Sequence, residues 1–119
     1  GLQVGMLATV LIAINNLRDS PQDALVGKKT LAVRFGPRFA KVEIAFMAYA
    51  PFLLGILYKS PEWKWAAYVP LLAVPVAGRL VRGVWRSAPG RDLNGYLAMG
   101  AALQLLFGFA LACGLWLSV

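Results

Sequence analysis

The sequence predicts an all-α fold, a multi-spanning transmembrane helix bundle, and three observations carry that prediction. Sixty per cent of the residues are hydrophobic and 14% are charged, a balance that belongs to membrane proteins and not to a soluble domain of this size. The apolar residues fall into four runs, 1–14, 42–58, 65–81 and 96–119. All of the charges but Glu43 and Arg79, which lie near the ends of their runs, fall in the three connections between those runs.

Taken in order, run 1–14 would rise only about 21 Å as a helix, short of the about 30 Å of hydrocarbon a span must cross. It is expected to be the end of a helix that begins upstream, so that residues 1–119 form the C-terminal part of a longer transmembrane domain. Gly1 and Gly5 make a GxxxG pair that would let a neighbouring helix approach. The motif connection, 15–38, follows. Run 42–58 is long enough to span and holds Pro51, and run 65–81 holds Pro70 and Pro75; these prolines are expected to bend their helices. Run 96–119 carries Gly100, Gly108 and Ala112 as a small-residue packing face.

Orientation follows from the cations. The first connection carries Arg18, Lys28, Lys29, Arg34, Arg38 and Lys41, and the third carries Arg79, Arg82, Arg86 and Arg91, so both are expected on the cytoplasmic side. The second has Lys59 and Lys64 among Tyr58, Trp63 and Trp65, an interfacial aromatic belt, and is expected outside together with the C-terminus. A net charge of +7 in a soluble domain would raise nucleic acid as a partner. Here the cations read as topology signals and the lipid bilayer as the partner, with no nucleic acid. The lone Cys113 forms no internal disulfide, and the absence of histidine excludes the usual zinc patterns.

The chemistry concentrates in "NNLRDSPQDALVGKKTLAVRFG", from Asn15 to Gly36. Each of its charges would cost about 2.5–3.5 kcal/mol at the bilayer centre, which places the segment at or beyond the interface. Asp19 and Asp23 are four residues apart, so a continuous helix would bring them to one face with Cβ atoms about 5–6 Å apart. A divalent cation relieves their repulsion, and magnesium, with few carboxylate ligands and a preference for bridging to phosphate, suits the pair. Arg18 can fork onto phosphate while Lys28 and Lys29 act as point charges, and together these groups make a diphosphate site. Asn15 and Asn16 offer amide donors.

Pro21 leaves a second geometry open. Ser20 could instead be the N-cap of a new helix, with Pro21 in its first turn and Asp23 reaching back as a capping box. Farther on, Gly27 permits a tight turn, Thr30 can cap a short amphipathic helix at 31–34, and Gly36-Pro37 ends it. That short helix suits a lid over the site or a plain interfacial anchor.

The string Asn-Asn-Leu-Arg-Asp, then Asp23, then Gly-Lys-Lys-Thr-Leu-Ala-Val-Arg-Phe-Gly resembles the second aspartate-rich motif of the UbiA superfamily of intramembrane prenyltransferases. Within that superfamily it is most similar to the 1,4-dihydroxy-2-naphthoate polyprenyltransferases of menaquinone synthesis. The resemblance implies about nine spanning helices, of which this chain would supply the last four. It implies magnesium-dependent transfer of a polyprenyl group from polyprenyl diphosphate to an aromatic acceptor, here 1,4-dihydroxy-2-naphthoate, in a bacterial plasma membrane.

Carried over position by position, Asp19 and Asp23 would bind magnesium–diphosphate and act catalytically, with Asn15, Asn16, Arg18, Lys28 and Arg34 binding substrate. One departure stands out: no first aspartate-rich motif is present, because Glu43, Glu62 and Asp92 are isolated. These 119 residues alone are therefore expected to be inactive. Alternative readings are another branch of the superfamily with a different acceptor, and a non-enzymatic membrane subunit or small transporter.

Overall fold

A computed structural model describes all of residues 1–119, and every regular element in it is a helix. The long helices are α1 (Leu2–Leu25), α3 (Pro37–Leu57) and α6 (Asn94–Leu117), with a short α2 (Leu31–Phe35) between the first two. A fourth rod is made of α4 (Lys64–Tyr68), a 3-10 turn at Val69–Ala73 and α5 (Val74–Arg86), and a second 3-10 turn, Arg91–Leu93, leads into α6. Three stretches, Pro37–Leu57, Lys64–Arg86 and Arg91–Leu117, are long and apolar enough to cross a membrane. These are the three runs the hydropathy pattern singled out.

Local chemistry accounts for the interruptions. Pro70 and Pro75 lack the N–H that an α-helical ladder requires, and the stretch around them tightens to 3-10 geometry at Val69–Ala73. Pro51 sits inside α3, which remains one helix. Between α1 and α3 the chain reverses through Gly27 at φ 77° and Gly36 at φ 90°, left-handed positions that a side chain would strain. Thr30 Oγ1 accepts the Val33 N–H at 3.3 Å and caps α2 as expected.

The expected connection at 15–38 needs correction. Its first part is helical, because α1 runs on through Asn15, Asn16, Asp19 and Asp23 to Leu25. Pro21 does not break it. The missing N–H of Pro21 would have bonded the Leu17 carbonyl, and the Ser20 hydroxyl donates to that carbonyl instead, at 2.9 Å. Ser20 is thus a mid-helix substitute for a backbone donor and not an N-cap, and no capping box forms at Asp23.

Neighbouring rods run antiparallel around a four-sided ring, as three pairings of helix ends show. Gln3 Nε2 donates to the Pro51 carbonyl at 2.8 Å, Arg18 Nη1 to Asn94 Oδ1 at 3.0 Å, and Lys41 Nζ to the Trp85 carbonyl at 3.2 Å. Inside the ring Leu7, Val10, Ile14, Leu17, Ile44, Ala48, Ala77, Leu80, Leu103 and Phe107 are buried, and the Phe52 and Phe107 rings meet edge to face at 5.3 Å. The ring extends 53 × 21 × 17 Å, long enough for both ends to emerge from about 30 Å of hydrocarbon.

Close helix approach occurs at Gly100, as expected, and at Gly83 and Gly114, which the sequence did not single out. A Cβ at Gly83 would collide with the Tyr96 ring, one at Gly114 with the Trp65 carbonyl, and one at Gly100 would lie 3.0 Å from Leu11. No atom lies within 4 Å of a Cβ position at Gly1, Gly5 or Gly108. Gly1 and Gly5 are both exposed, so the GxxxG pair packs against no helix within this chain.

Candidate functional site

In α1 the buried stripe Leu7, Val10, Ala13, Ile14 and Leu17 recurs at three- and four-residue steps and fixes the rotation of the helix. At about 100° per residue, Asn15, Asn16, Asp19 and Asp23 then share an arc of about 100° on the opposite side. The two carboxylates, one turn apart, therefore lie on one face, as a continuous helix demands. Arg18 sits beside them and makes three hydrogen bonds: Nε to Asp19 Oδ1 at 2.9 Å, Nη2 to Asp19 Oδ2 at 3.2 Å, and Nη1 to Asn94 Oδ1 at 3.0 Å. The fork is bidentate, the strong geometry for arginine and carboxylate.

The Arg18 guanidinium holds the Asp19 carboxyl below its usual range, chiefly through that hydrogen bond, with a weaker coulombic pull from Lys28. Asp19 is open to solvent, its side chain 47% exposed. Asp23 is its opposite, buried at 8% exposure, with Oδ2 lacking any hydrogen-bond partner. The chain returning through Gly27 and α2, which packs on α1 and α3, covers that end of the helix, and the Asp23 carbonyl accepts the Lys28 N–H at 2.9 Å.

A buried carboxylate oxygen without a donor leaves a desolvated acceptor that a cation would satisfy. Asp23 Oδ2 and the Asp19 carboxylate would suit a magnesium ion that keeps water and takes its remaining ligands from phosphate. No third Asp, Glu, His or Cys joins them, so the chain supplies a pair and not a cage.

The remaining expected residues divide. Asn15 and Asn16 lie one turn before Asp19, with Asn15 exposed and Asn16 half-buried. Lys28 and Lys29 are exposed just past the end of α1, and Lys28 is near enough to Asp19 to affect its ionisation. Arg34 is not drawn to the carboxylates; its guanidinium lies 5.9 Å from the Phe35 ring, on a short helix with exposed Leu31 and Phe35. Two participants escaped the sequence: Ser20, which reads as a cap until the helix is seen to continue, and Asn94, which nothing links to Arg18 across 76 residues. None of the surface cavities is lined by Asp19 or Asp23; one of about 400 Å³ lies at the far end among Gln3, Gly55, Trp63 and Leu115.

The family model described as the UbiA prenyltransferase family matches residues 1–101. The chain is 32% identical over 117 residues to the 1,4-dihydroxy-2-naphthoate octaprenyltransferase of Haemophilus influenzae, covering 93% of this chain and 36% of that protein. It is 34% identical over 109 residues to the protein of the same name from Mycobacterium tuberculosis, covering 91% and 36% respectively. The UbiA prenyltransferase domain-containing protein 1 of Gallus gallus is 31% identical over 104 residues, covering 87% of this chain and 30% of its own length. The chain thus spans about a third of the length of these curated relatives. No solved structure matches it.

Proposed function

Because this chain belongs to the UbiA prenyltransferase family, we propose that it is part of an integral membrane enzyme that transfers a polyprenyl group from its diphosphate to 1,4-dihydroxy-2-naphthoate. The carrying observation is the pair on α1, Asp19 in the fork of Arg18 and Asp23 with a buried, unpartnered Oδ2, at the polar end of an apolar bundle. Four relatives bearing the name 1,4-dihydroxy-2-naphthoate octaprenyltransferase support the choice of acceptor and of a long isoprenoid.

Asp19 and Asp23 would hold magnesium, whose charge favours departure of diphosphate. Arg18 is already tethered by Asn94, so its guanidinium can exchange Asp19 for a phosphate oxygen without a search for position. Lys28 adds a mobile positive charge at the same end, and Asn15 and Asn16 offer amide donors one turn deeper. These fixed cations and donors favour the transition state by taking up negative charge as the allylic carbon–oxygen bond breaks and its electron pair leaves with diphosphate. The electron-rich ring carbon then bonds to the allylic carbon, and the ring's carboxyl group leaves as carbon dioxide. The isoprenoid tail runs along apolar helix faces, and the Asp19 end faces the cytoplasm, where positively charged connections are retained.

The test is prenyl transfer by the full-length protein with polyprenyl diphosphate, 1,4-dihydroxy-2-naphthoate and magnesium. Asp19→Asn and Asp23→Asn are each expected to reduce turnover by at least about a hundredfold, with unchanged yield of folded protein. Turnover retained in either variant removes this assignment.

A further inference from the structure

The third connection and the end of α5 carry a charge pattern that the proposed reaction does not use. Arg79, Arg82 and Arg86 follow one another at steps of three and four along α5, within an arc of about 60°. The opposite face, Ala77, Leu80, Val81 and Val84, is buried against the bundle, so the arginines point outward. All three arginines are exposed. Arg91 follows in the next turn, and Lys41 is brought to the same end by its bond to the Trp85 carbonyl at 3.2 Å. The rotation of α5 is set partly by Gly83, whose missing side chain admits the Tyr96 ring of α6.

None of these cations has an ionic partner. The sole ion pair in the structure joins Arg18 to Asp19, and the one carboxylate in this connection, Asp92, is exposed and pairs with nothing. The helix dipole accounts for Arg86 in the last turn but fades before Arg79, two turns inside. Topology accounts for cations at this end of the bundle, and says nothing of their alignment on one face.

Depth identifies the occupant. From Lys64 to Arg79 the rod rises about 25 Å once the 3-10 turn is included, against about 30 Å of hydrocarbon. With Lys64 at one interface, the Arg79 backbone lies inside the opposite hydrocarbon edge, and its guanidinium must extend toward the phosphates of that leaflet. A soluble acidic protein does not reach that depth, whereas phospholipid head groups occupy it. Trp85, 42% exposed beside the arginines, is the side chain that favours the same layer.

We infer that the Arg79, Arg82 and Arg86 face of α5 is a binding site for the phosphates of anionic phospholipids, in the leaflet that also holds the Asp19 end of the bundle. Each guanidinium forks onto a phosphate oxygen pair, and a head group with net negative charge is preferred to a zwitterionic one. The site stands apart from the prenyl-transfer assignment and does not depend on it.

The test uses full-length protein in nanodiscs of equal parts phosphatidylglycerol and phosphatidylcholine, released into native mass spectrometry so that retained lipids are counted by class. The wild type is expected to retain phosphatidylglycerol preferentially. Arg79→Gln, Arg82→Gln and Arg86→Gln should each lower that preference about fivefold, and the triple variant should abolish it. Lys59→Gln with Lys64→Gln, at the other end of the bundle, should leave it intact. If the triple variant fails to insert, the single variants decide, and unchanged preference in all three overturns the proposal. Loss of retained phosphatidylglycerol from the wild type on addition of inorganic diphosphate, with no such displacement in Arg79→Gln, would assign the face to a water-soluble anion and overturn it equally.

Discussion

At Pro21 one hydroxyl decides whether α1 ends or continues. Ser20 occupies the Leu17 carbonyl that the proline leaves without a donor, at 2.9 Å and in a buried position, so Ser20→Ala should destabilise the full-length protein by about 1–3 kcal/mol, read as a lower unfolding midpoint in detergent. Asp23 should behave in the opposite sense. Its Oδ2 is buried without a donor, so Asp23→Asn is expected to leave the unfolding midpoint in chelator unchanged or raised, and to lack the upward shift expected of the wild type with magnesium and diphosphate. A clear fall in chelator would show that the carboxylate is structural. Asp19 titrates below its ordinary value because Arg18 bonds its charged form. A lowered folded value means that the contact contributes fully above the unfolded pKa and is lost as pH falls through the folded one. The Asp19 carboxylate signal in isotope-edited infrared spectra should therefore be constant from about pH 8 to 5 and change only below about pH 4.

Among the elements, α1 is held to α6 by Arg18 and Asn94, and α5 to α6 by the notch at Gly83. Asn94→Ala frees Arg18 from its second anchor without touching the carboxylates; the expected effect is a raised KM for polyprenyl diphosphate with kcat nearly unchanged, and Asn94→Gln should restore part of the affinity. Gly83→Val would place methyl groups in the Tyr96 ring, a destabilisation of about 1–3 kcal/mol if the helices can shift, visible as reduced thermal stability. The spans at Pro37–Leu57, Lys64–Arg86 and Arg91–Leu117 were legible because about twenty apolar residues have few other ways to satisfy their backbone in lipid. The boundary of the motif connection was not legible. Polar residues such as Asn15 and Asp19 signal exposure, yet exposure is compatible with helix, and only the Ser20–Leu17 bond shows that Pro21 is accommodated. Likewise, GxxxG spacing identifies where a helix could approach but not where one does, so Gly1 and Gly5 pack nothing here while Gly100 meets Leu11.

For the whole molecule, the antiparallel ring brings the first and third connections to one end and the second to the other. In full-length protein with Cys113 replaced by serine, Ser60→Cys and Ser87→Cys should be labelled by a membrane-impermeant maleimide from opposite faces of the bilayer. Labelling of both from one face would contradict the bundle. The sequence by itself determined the helical membrane class, the three spans, their charge asymmetry and the Asn15–Gly36 motif, because composition, hydropathy and local spacing are properties of neighbouring residues. Only the tertiary structure decided that Asp23 is buried with a free oxygen while Asp19 is bound by Arg18, that Arg34 stays apart, and that Asn94 joins the site. Those facts depend on contacts between residues far apart in the chain, and burial of a given side chain is settled by what folds over it.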